Sequence, residues 1–252
     1  MTIQLYRGDC LEVMDSLIAM GVKVDAIITD PPYGTTTCKW DSVIPFADMW
    51  KRLKLLRKDN APIVLFGSEP FSSTLRMSNI KEYKYDIIWE KERPTNIFTI
   101  KKQVGKVHEN ISIFYKKQPT YNPQFEKAIQ PTNNNKNKNK SQQSKMNKTE
   151  VFGDFVFEIS DTYDNSKRYP RSIIKVNRGT KSIRFHPTQK PVSLMEYLIK
   201  TYTNEGDTVL DFTMGSGTTG VACKRLNRNF IGIEKENKYF NIAKQRIEGE
   251  LF

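Results

Sequence analysis

The sequence predicts an α/β fold built on a doubly wound, mostly parallel β-sheet of seven strands. Two observations lead to this prediction. Short apolar runs that are typical of buried strands alternate along the chain with segments whose apolar residues recur at helical spacing. One pair of neighbouring strands, in the middle of the chain, has only a loop between its members. Strands joined by helices are usually parallel, whereas a close pair is typical of an antiparallel hairpin.

The first half of the chain contains five of the seven strands and three helices. We predict strands at residues 3–8, 24–29, 61–67, 85–89 and 110–115. Helices are predicted at residues 11–18, 46–56 and 70–77, the last because proline suits the first turn of a helix. The loop 93–107 separates the last two strands, so we expect them to form an antiparallel hairpin at the edge of the sheet.

The character of the sequence changes after residue 118. Residues 118–185 carry thirteen Lys or Arg against six Asp or Glu, and residues 133–140 are only Asn and Lys. The α/β pattern then resumes, with helices predicted at 194–199, 218–226 and 237–251 and strands at 207–211 and 230–234. We therefore divide the chain into a first sheet segment (1–117), an insert (118–185) and a second sheet segment (186–252).

The composition of the chain favours some classes of binding partner over others. A formal charge of +12 and a pI of about 9.5 favour a polyanion such as nucleic acid, with an anionic membrane surface as second candidate. No apolar run is long enough to predict a membrane span. Two histidines and three scattered cysteines give no metal-binding pattern. The cysteines and the lack of a signal pattern in the first residues lead us to expect a cytoplasmic protein.

The most informative stretch is Asp30-Pro31-Pro32-Tyr33, which ends the second strand. Each proline fixes its own φ and lacks an N–H donor, so the strand ends in a stiff, extended corner. Open α/β sheets bind ligands at this edge. The carbonyls of Asp30 and Pro31 are free to accept hydrogen bonds there, and Tyr33 adds an aromatic face. This combination suits a planar group that carries an NH2, although Asp-Pro-Pro is also an ordinary turn sequence.

A glycine-rich turn joins the strand 207–211 to the helix that follows it. The turn comes after Asp211 and includes Gly215, Ser216, Gly217 and Thr218. Glycine lets the backbone approach a ligand closely, and a helix N-terminus attracts an anionic group. Glu234 ends the next strand about 20 residues later, a spacing typical of an acid that binds ribose hydroxyls. These features indicate an adenosine-type cofactor, and the absence of a Gly-Lys-Ser/Thr sequence counts against ATP.

Two further segments carry polar groups of interest. Residues 186–191, His-Pro-Thr-Gln-Lys-Pro, place Thr188 and Lys190 where they can meet a carboxylate, or they form an ordinary turn into the next helix. The second segment contains seven basic residues and no acidic one: Lys167, Arg168, Arg171, Lys175, Arg178, Lys181 and Arg184. Isolated lysines are usually only solvated, but an acid-free run of this length predicts contact with nucleic acid.

Together these motifs resemble the amino-group DNA methyltransferases that use S-adenosylmethionine, in the permuted order called the beta class. The matching residues are Asp30 to Tyr33, His186 to Pro191, Asp211 to Thr219, and Ile233-Glu234. The basic insert lies where this class keeps its target-recognition domain. The resemblance covers nearly the whole chain outside residues 118–185, and adenine-specific members are the most similar.

The resemblance implies a role for each matching residue on the target side. Asp30 and the Pro31 carbonyl accept hydrogen bonds from the exocyclic amine of a base that has been flipped out of the duplex. Pro32 completes the rigid corner, and Tyr33 stacks on the base. The basic run 167–184 grips phosphates and reaches into the major groove.

The resemblance also implies how the cofactor is held. Asp211 and the turn Gly215–Thr218 lie along its methionine part, and Glu234 binds its ribose. Thr188 and Lys190 flank its carboxylate, and Asp9, after the first strand, meets its adenine amine. One departure from the family pattern is Thr213, which stands where an aromatic residue is common, with Phe212 one place earlier.

The implied function is site-specific transfer of a methyl group to the N6 of adenine in duplex DNA. Cytosine N4 is the alternative, since Asp-Pro-Pro-Tyr is found more often with adenine and Ser-Pro-Pro-Tyr with cytosine. A catalytically dead homologue that only binds DNA is a further alternative. The resemblance is compatible with a cognate restriction endonuclease as partner, and with either a monomer or a homodimer.

Overall fold

The computed structural model describes residues 1–38, 40–127, 166–177 and 185–249. The chain divides into two compact units. The larger consists of Met1–Asn122 and Arg171–Phe252, and the smaller is Pro123–Pro170. Within the described ranges, no helix is both long and apolar enough to cross a lipid bilayer.

Ten strands and six α-helices are present in the described residues. The strands are β1 (Ile3–Arg7), β2 (Ala26–Thr29), β3 (Ile63–Gly67), β4 (Tyr83–Glu90), β5 (His108–Phe114), β6 (Glu126–Lys127), β7 (Lys167–Arg168), β8 (Ile173–Lys175), β9 (Thr208–Asp211) and β10 (Asn229–Glu234). The helices are α1 (Cys10–Ala19), α2 (Phe46–Leu56), α3 (Phe71–Ser78), α4 (Val192–Tyr202), α5 (Thr218–Arg225) and α6 (Asn237–Glu248). All predicted strands and helices are therefore found, with ends that differ by a few residues.

Eight of the strands form one mostly parallel sheet, in the order β1-β10-β9-β2-β3-β5-β4-β8. The strands from β1 to β3 in this order are parallel, β5 is antiparallel to both neighbours, and β8 is parallel to β4. The predicted hairpin of β4 and β5 is confirmed, but β4 is not the edge strand. The edge is β8, an eighth strand that the sequence does not predict, because two isoleucines within a basic segment are too short a pattern.

Helices cover both faces of the sheet. Along β2, Ile27 packs with apolar residues of α1, α2 and α3, whereas Ile28 packs with those of α4, α5 and α6. Successive residues of a strand point to opposite faces, so a strand between two helix layers is buried throughout. The five residues of β3 are all buried for this reason. The architecture is the doubly wound α/β fold that the sequence predicts.

The direction of winding reverses between β9 and β2. From β9 the chain continues through α5 to β10 on one side, and from β2 it continues through α2 to β3 on the other. The loops that leave two such strands part from each other and open a crevice at their carboxyl ends. The pairing of Ile27 with Leu210 brings the segment that follows Thr29 beside the one that follows Asp211.

The smaller unit contains a two-stranded antiparallel ribbon of β6 and β7. Beside it, the rings of Phe125 and Tyr169 lie 4.9 Å apart. Of the predicted DNA-contacting residues, Lys167 and Arg168 form β7, whereas Arg171 and Lys175 belong to the larger unit. The remaining three, Arg178, Lys181 and Arg184, lie outside the described residues.

Candidate active site

A cavity of about 400 Å³ opens at the carboxyl ends of β2 and β9. One side is formed by the proline corner, Asp30 to Tyr33, and the other by Asp211 and the residues Gly215, Ser216 and Thr218. Glu234 at the end of β10 and Asp9 after β1 also line the cavity, as do Thr188 and Lys190. The corner and the glycine-rich turn therefore face the same space.

Threonine hydroxyls join the two strand ends under this cavity. The Thr29 hydroxyl donates to Asp211 at 2.5 Å and lies 2.7 Å from the Thr213 hydroxyl oxygen. Thr219 donates to the second oxygen of Asp211. Asp211 is almost fully buried, and this burial raises its pKa to about 6 despite the hydrogen bonds. Asp211 thus holds the start of the turn against β2.

The Asp30 carbonyl already accepts one hydrogen bond within the protein, which the sequence did not predict. The Thr213 hydroxyl donates to it at 3.2 Å. Thr213, the residue that departs from the family pattern, therefore anchors the corner to the neighbouring strand. No described residue donates to the Pro31 carbonyl, which keeps its acceptor capacity for a ligand. Phe212 is buried in the core below.

A buried charge cluster surrounds the Asp30 carboxylate. One of its oxygens accepts from the Tyr33 hydroxyl and the other from the Lys190 ammonium. Lys190 also lies 3.3 Å from Glu109, whose second oxygen pairs with Lys91. Glu109 and Lys91 were not predicted as site residues. Glu109 is the second residue of β5 and Lys91 directly follows β4, so only the antiparallel pairing of these strands brings them together.

The charges of this cluster shift one another's titration. Burial acts to raise the pKa of Glu109, but Lys190 and Lys91 outweigh it and lower the value to about 2. Burial acts to lower the pKa of Lys190, but Asp30 and Glu109 outweigh it and raise the value. For Asp30 burial dominates and raises its pKa, while Lys190 opposes the rise. At neutral pH, Lys190 therefore stays charged between the two carboxylates.

Lys190 and Tyr33 make contacts within the protein that the sequence did not predict. The Lys190 ammonium contacts Asp30 and Glu109 and is buried, and its predicted contact with a cofactor carboxylate stays a prediction. The Tyr33 ring packs against Phe71, with ring centroids 4.9 Å apart, and its hydroxyl points to Asp30. Stacking of Tyr33 on a base stays a prediction. Thr188 is exposed, and its hydroxyl lies 3.0 Å from Nδ1 of His186.

The loop that follows the corner is held by one carboxylate that the sequence did not single out. Asp41 accepts the backbone N–H groups of Tyr33, Gly34, Thr35 and Thr36 at 2.7–3.0 Å. Burial acts to raise the pKa of Asp41, but a hydrogen bond from the Thr36 side chain, together with those from the backbone, outweighs it and lowers the value. A carboxylate that accepts several backbone N–H groups fixes the loop's conformation.

His186 forms part of the wall between the corner and the turn. Its ring lies 4.2 Å from that of Tyr239 and 5.0 Å from that of Trp40, between centroids. Burial, with a smaller contribution from Lys190, lowers the pKa of His186 to about 4, so the ring is neutral at physiological pH. The aromatic neighbours come from distant segments, which is why the sequence does not reveal them.

Two carboxylates predicted to bind the cofactor, Glu234 and Asp9, also make polar contacts within the protein. Glu234 accepts the N–H groups of Gly215 and Glu236 at 2.9 and 2.7 Å, and its burial raises its pKa. Asp9 caps α1 through Leu11 and lies 3.2 Å from the Lys235 ammonium. Both carboxylates nevertheless line the cavity.

Three residues of the predicted turn also contact the helix α6. Gly217 is not among the lining residues, and a Cβ at this position would lie 2.9 Å from that of Ala243 in α6. The Ser216 and Thr218 hydroxyls lie 3.0 and 3.3 Å from the Arg246 guanidinium. Burial lowers the pKa of Arg246 to about 10. Of the turn glycines, Gly215 is therefore the one that borders the cavity.

Comparison with known proteins identifies the family. The N6/N4 methyltransferase family model, described as DNA methylase, matches residues 24–245. Type II methyltransferase M.HpaI of Haemophilus parainfluenzae is 30% identical over 246 residues, which cover 90% of this chain and 69% of that protein. Type II methyltransferase M2.DpnII of Streptococcus pneumoniae is 57% identical over 65 residues, which cover 26% of this chain but only 24% of that protein.

Solved structures agree with this assignment. The crystal structure of the M1.HpyAVI–SAM complex has a TM-score of 0.64 and 32% identity, over 97% of this chain and 100% of that one. The cytosine-N4-specific PvuII DNA methyltransferase has a TM-score of 0.67 and 17% identity, over 98% of this chain and 86% of that one, and shows a shared fold. The chain therefore belongs to the N6/N4 DNA methylase family and is an S-adenosylmethionine-dependent DNA methyltransferase.

Proposed function

We propose that this protein methylates the exocyclic N6 of an adenine that has been flipped out of duplex DNA at a specific sequence. One observation carries the proposal: the Asp30–Tyr33 corner and the glycine-rich turn line a single cavity. Acceptors for an amine and a site for a methyl donor are thus within reach of each other. Such positioning is the main source of rate in a direct transfer between two bound groups.

The charge of the cavity suits S-adenosylmethionine, whose sulfonium and ammonium groups are positive. Its lining contains seven acidic side chains and two lysines, Lys190 and Lys235; the acidic residues are Asp9, Asp30, Asp41, Glu109, Asp211, Glu234 and Glu236. A Cβ at Gly215 would meet nothing nearer than the His186 ring at 3.8 Å, so the missing side chain leaves room for a ligand. We assign Glu234 to the ribose and Asp9 to the adenine amine.

The bound cofactor supplies an electrophilic methyl group, and the corner prepares the nucleophile. A base amine is a poor nucleophile because its lone pair is delocalised into the ring. Hydrogen bonds from the amine to the Asp30 carboxylate and the Pro31 carbonyl favour a localised lone pair on nitrogen. The raised pKa of Asp30, which results from burial, suits a carboxylate that takes up the amine proton as the new bond forms.

The choice of adenine rests on the Asp-Pro-Pro-Tyr sequence, and cytosine N4 is the second candidate. The shared fold with the cytosine-N4-specific PvuII enzyme does not separate the two bases. Single-molecule sequencing of DNA from cells that express the chain identifies both the modified base and its context. We expect N6-methyladenine in one recurring sequence. N4-methylcytosine would overturn the assignment of the base, and unmodified DNA would overturn the proposed function.

The role of Asp30 can be tested directly. Asp30→Ala should retain affinity for cofactor and DNA but lose methyl transfer by about 100-fold or more, because a preorganised acceptor is removed. Cofactor binding is measured by calorimetry, DNA binding by fluorescence anisotropy and transfer with a labelled methyl donor. Asp59→Ala, at an exposed aspartate that is not a cavity residue, is the control. Undiminished turnover in Asp30→Ala would remove the proposed mechanism.

A further inference from the structure

The segment between β4 and β5, residues 91–107, carries large apolar side chains that face solvent. We call it the rim loop. Phe98 is fully exposed, and Val104 and Ile97 are 90% and 70% exposed. Neighbouring apolar side chains with this exposure usually mark a surface that a partner covers.

The rim loop has a defined internal structure. The Asn96 side chain donates to the Val104 carbonyl at 3.0 Å and accepts from the Lys106 N–H at 2.7 Å. A Cβ at Gly105 would lie 2.9 Å from the Pro94 ring, so the two sides of the loop are in close contact. A short 3₁₀ helix, Ile97–Thr99, forms the tip. The loop therefore has internal contacts that define its path, while its apolar side chains are exposed.

The charge of the rim loop favours a polyanion as the partner. The loop contains five basic residues and one acidic residue, Glu92. The side chains of Lys91 and Lys106 contact Glu109 and Ser68, whereas Arg93, Lys101 and Lys102 are exposed around the apolar tip. Lysines are depleted from the cores of protein–protein interfaces. Cations around an apolar tip instead match nucleic acid, with its charged backbone and stacked bases.

The rim loop also borders the proline corner. A cleft of about 1200 Å³ is lined by Pro94, Thr95 and Ile97 of the loop, and by Tyr33 and Lys190 of the corner. A duplex that delivers a base to Asp30 through this cleft would pass the tip of the loop.

We propose that the rim loop is a DNA wedge, with Phe98 inserted into the duplex beside the flipped base. This inference rests on the proposed function and adds the element that opens the duplex. Extrusion of a base breaks its pairing and stacking. Apolar side chains such as Phe and Ile can occupy the opened step and stabilise the distorted duplex. Phe98 would replace the lost stacking while the exposed cations hold the flanking phosphates.

The test uses two duplexes that contain the recognition sequence found by sequencing. In the first the target base is paired, and in the second it is opposite a mismatch, so that extrusion is already easy. Phe98→Ala should lower kcat/KM on the paired duplex by about 10- to 100-fold, and by much less on the mismatched one. Phe98→Leu keeps an apolar wedge, so its kcat/KM on the paired duplex should lie between those of wild type and Phe98→Ala.

Met20→Ala is the matched control, because Met20 is 61% exposed at the end of α1 remote from the cavity-lining Cys10. Equal activity of wild type and Phe98→Ala on the paired duplex would overturn the wedge, as would equal losses on both duplexes. A change in sedimentation of the free protein without a change in activity would assign the tip to a second copy instead.

If the wild type methylates no DNA, the proposed function fails. The wedge is then judged by affinity for duplex DNA, which Phe98→Ala lowers if the wedge is right and leaves unchanged if it is wrong.

Discussion

Asp30, Lys190 and Glu109 form a buried cluster of charged side chains that lines the cavity. A buried charge is costly to remove from water, and each member of the cluster depends on its neighbours for compensation. Lys190 contacts both carboxylates and is itself buried. We infer that Lys190 is a positioning residue, which keeps the Asp30 carboxylate oriented toward the target amine.

Lys190→Met should lower kcat while affinity for S-adenosylmethionine stays unchanged. Loss of the ammonium removes the charge that opposes the rise in the pKa of Asp30, so this pKa moves further up. The acidic limb of the pH–rate profile should then shift to higher pH, because Asp30 must be ionised to accept. Lys190→Arg keeps the charge and should restore most of the rate. A loss of cofactor affinity with kcat unchanged would return Lys190 to the cofactor role that the sequence predicts.

Asp211 should make stability depend on pH in a defined direction. Its pKa is raised by burial from 3.8 to about 6 in the folded protein. A raised pKa means that its stabilising contribution is complete below pH 3.8 and is lost as the pH rises through 6. As the pH rises from 4 to 7, wild type should therefore lose on the order of 2–3 kcal/mol of unfolding free energy that Asp211→Asn does not lose. Urea titrations at both pH values measure this, and parallel changes in the two proteins would contradict it.

At the scale of the elements, the close packing of α5 and α6 depends on glycine. Gly217 directly precedes α5 and has a φ of +78°, and a Cβ there would lie 2.9 Å from Ala243 Cβ and 3.0 Å from its Cα. Backbone atoms cannot move aside as a flexible side chain can. This glycine therefore serves both a left-handed conformation and helix packing, whereas the sequence suggests only contact with a ligand.

Gly217→Ala should destabilise the fold by about 2–4 kcal/mol, because left-handed strain and overpacking both contribute. Gly21→Ala is the matched control. Gly21 also has a positive φ, of +70°, but nothing lies within 4 Å of the added Cβ. Gly21→Ala should therefore lower the free energy of unfolding by about 1–2 kcal/mol. Chemical denaturation measures both, and equal losses would show that packing against Ala243 contributes nothing.

The sequence predicts elements better than it predicts contacts between them. The strands and helices have strong apolar periodicity, so their positions are evident, and the two motif segments fall at the expected sheet edge. The charge cluster is different, because Glu109 and Lys91 meet Lys190 only through the pairing of β4 with β5. Polar residues of that kind carry no periodic signal. The strand β8 was missed because three residues are too few to form a pattern.

At the scale of the whole molecule, the net charge of +12 leads us to expect phosphate contacts, and hence DNA binding that depends strongly on salt. The part of the predicted basic run that the structure describes, residues 167–177, is divided between two elements. Lys167 and Arg168 belong to the smaller unit, and Lys175 belongs to the edge strand of the sheet. The Lys175 side chain is 65% exposed and lies 3.5 Å from Glu90. We expect it to contact phosphate and not bases.

Lys175→Ala should weaken binding to all duplexes alike and reduce the slope of log affinity against log salt by about one. Fluorescence anisotropy at several salt concentrations measures this. Lys117→Ala is the control, since Lys117 is 62% exposed and paired with Asp59, but follows the end of β5 that is remote from Glu109 and the cavity. A loss confined to particular sequences would assign Lys175 to base recognition.

The order of the segments has a consequence for synthesis of the protein. The corner at Asp30 leaves the ribosome before the turn at Gly215 and the acid Glu234, which follow it about two hundred residues further along the chain. The two walls of the cavity meet only when β9 docks beside β2. A nascent chain that stops before this point has acceptors without a place for the donor. Methylating capacity therefore arises only after β9 and the turn that follows it have been synthesised and have joined the sheet.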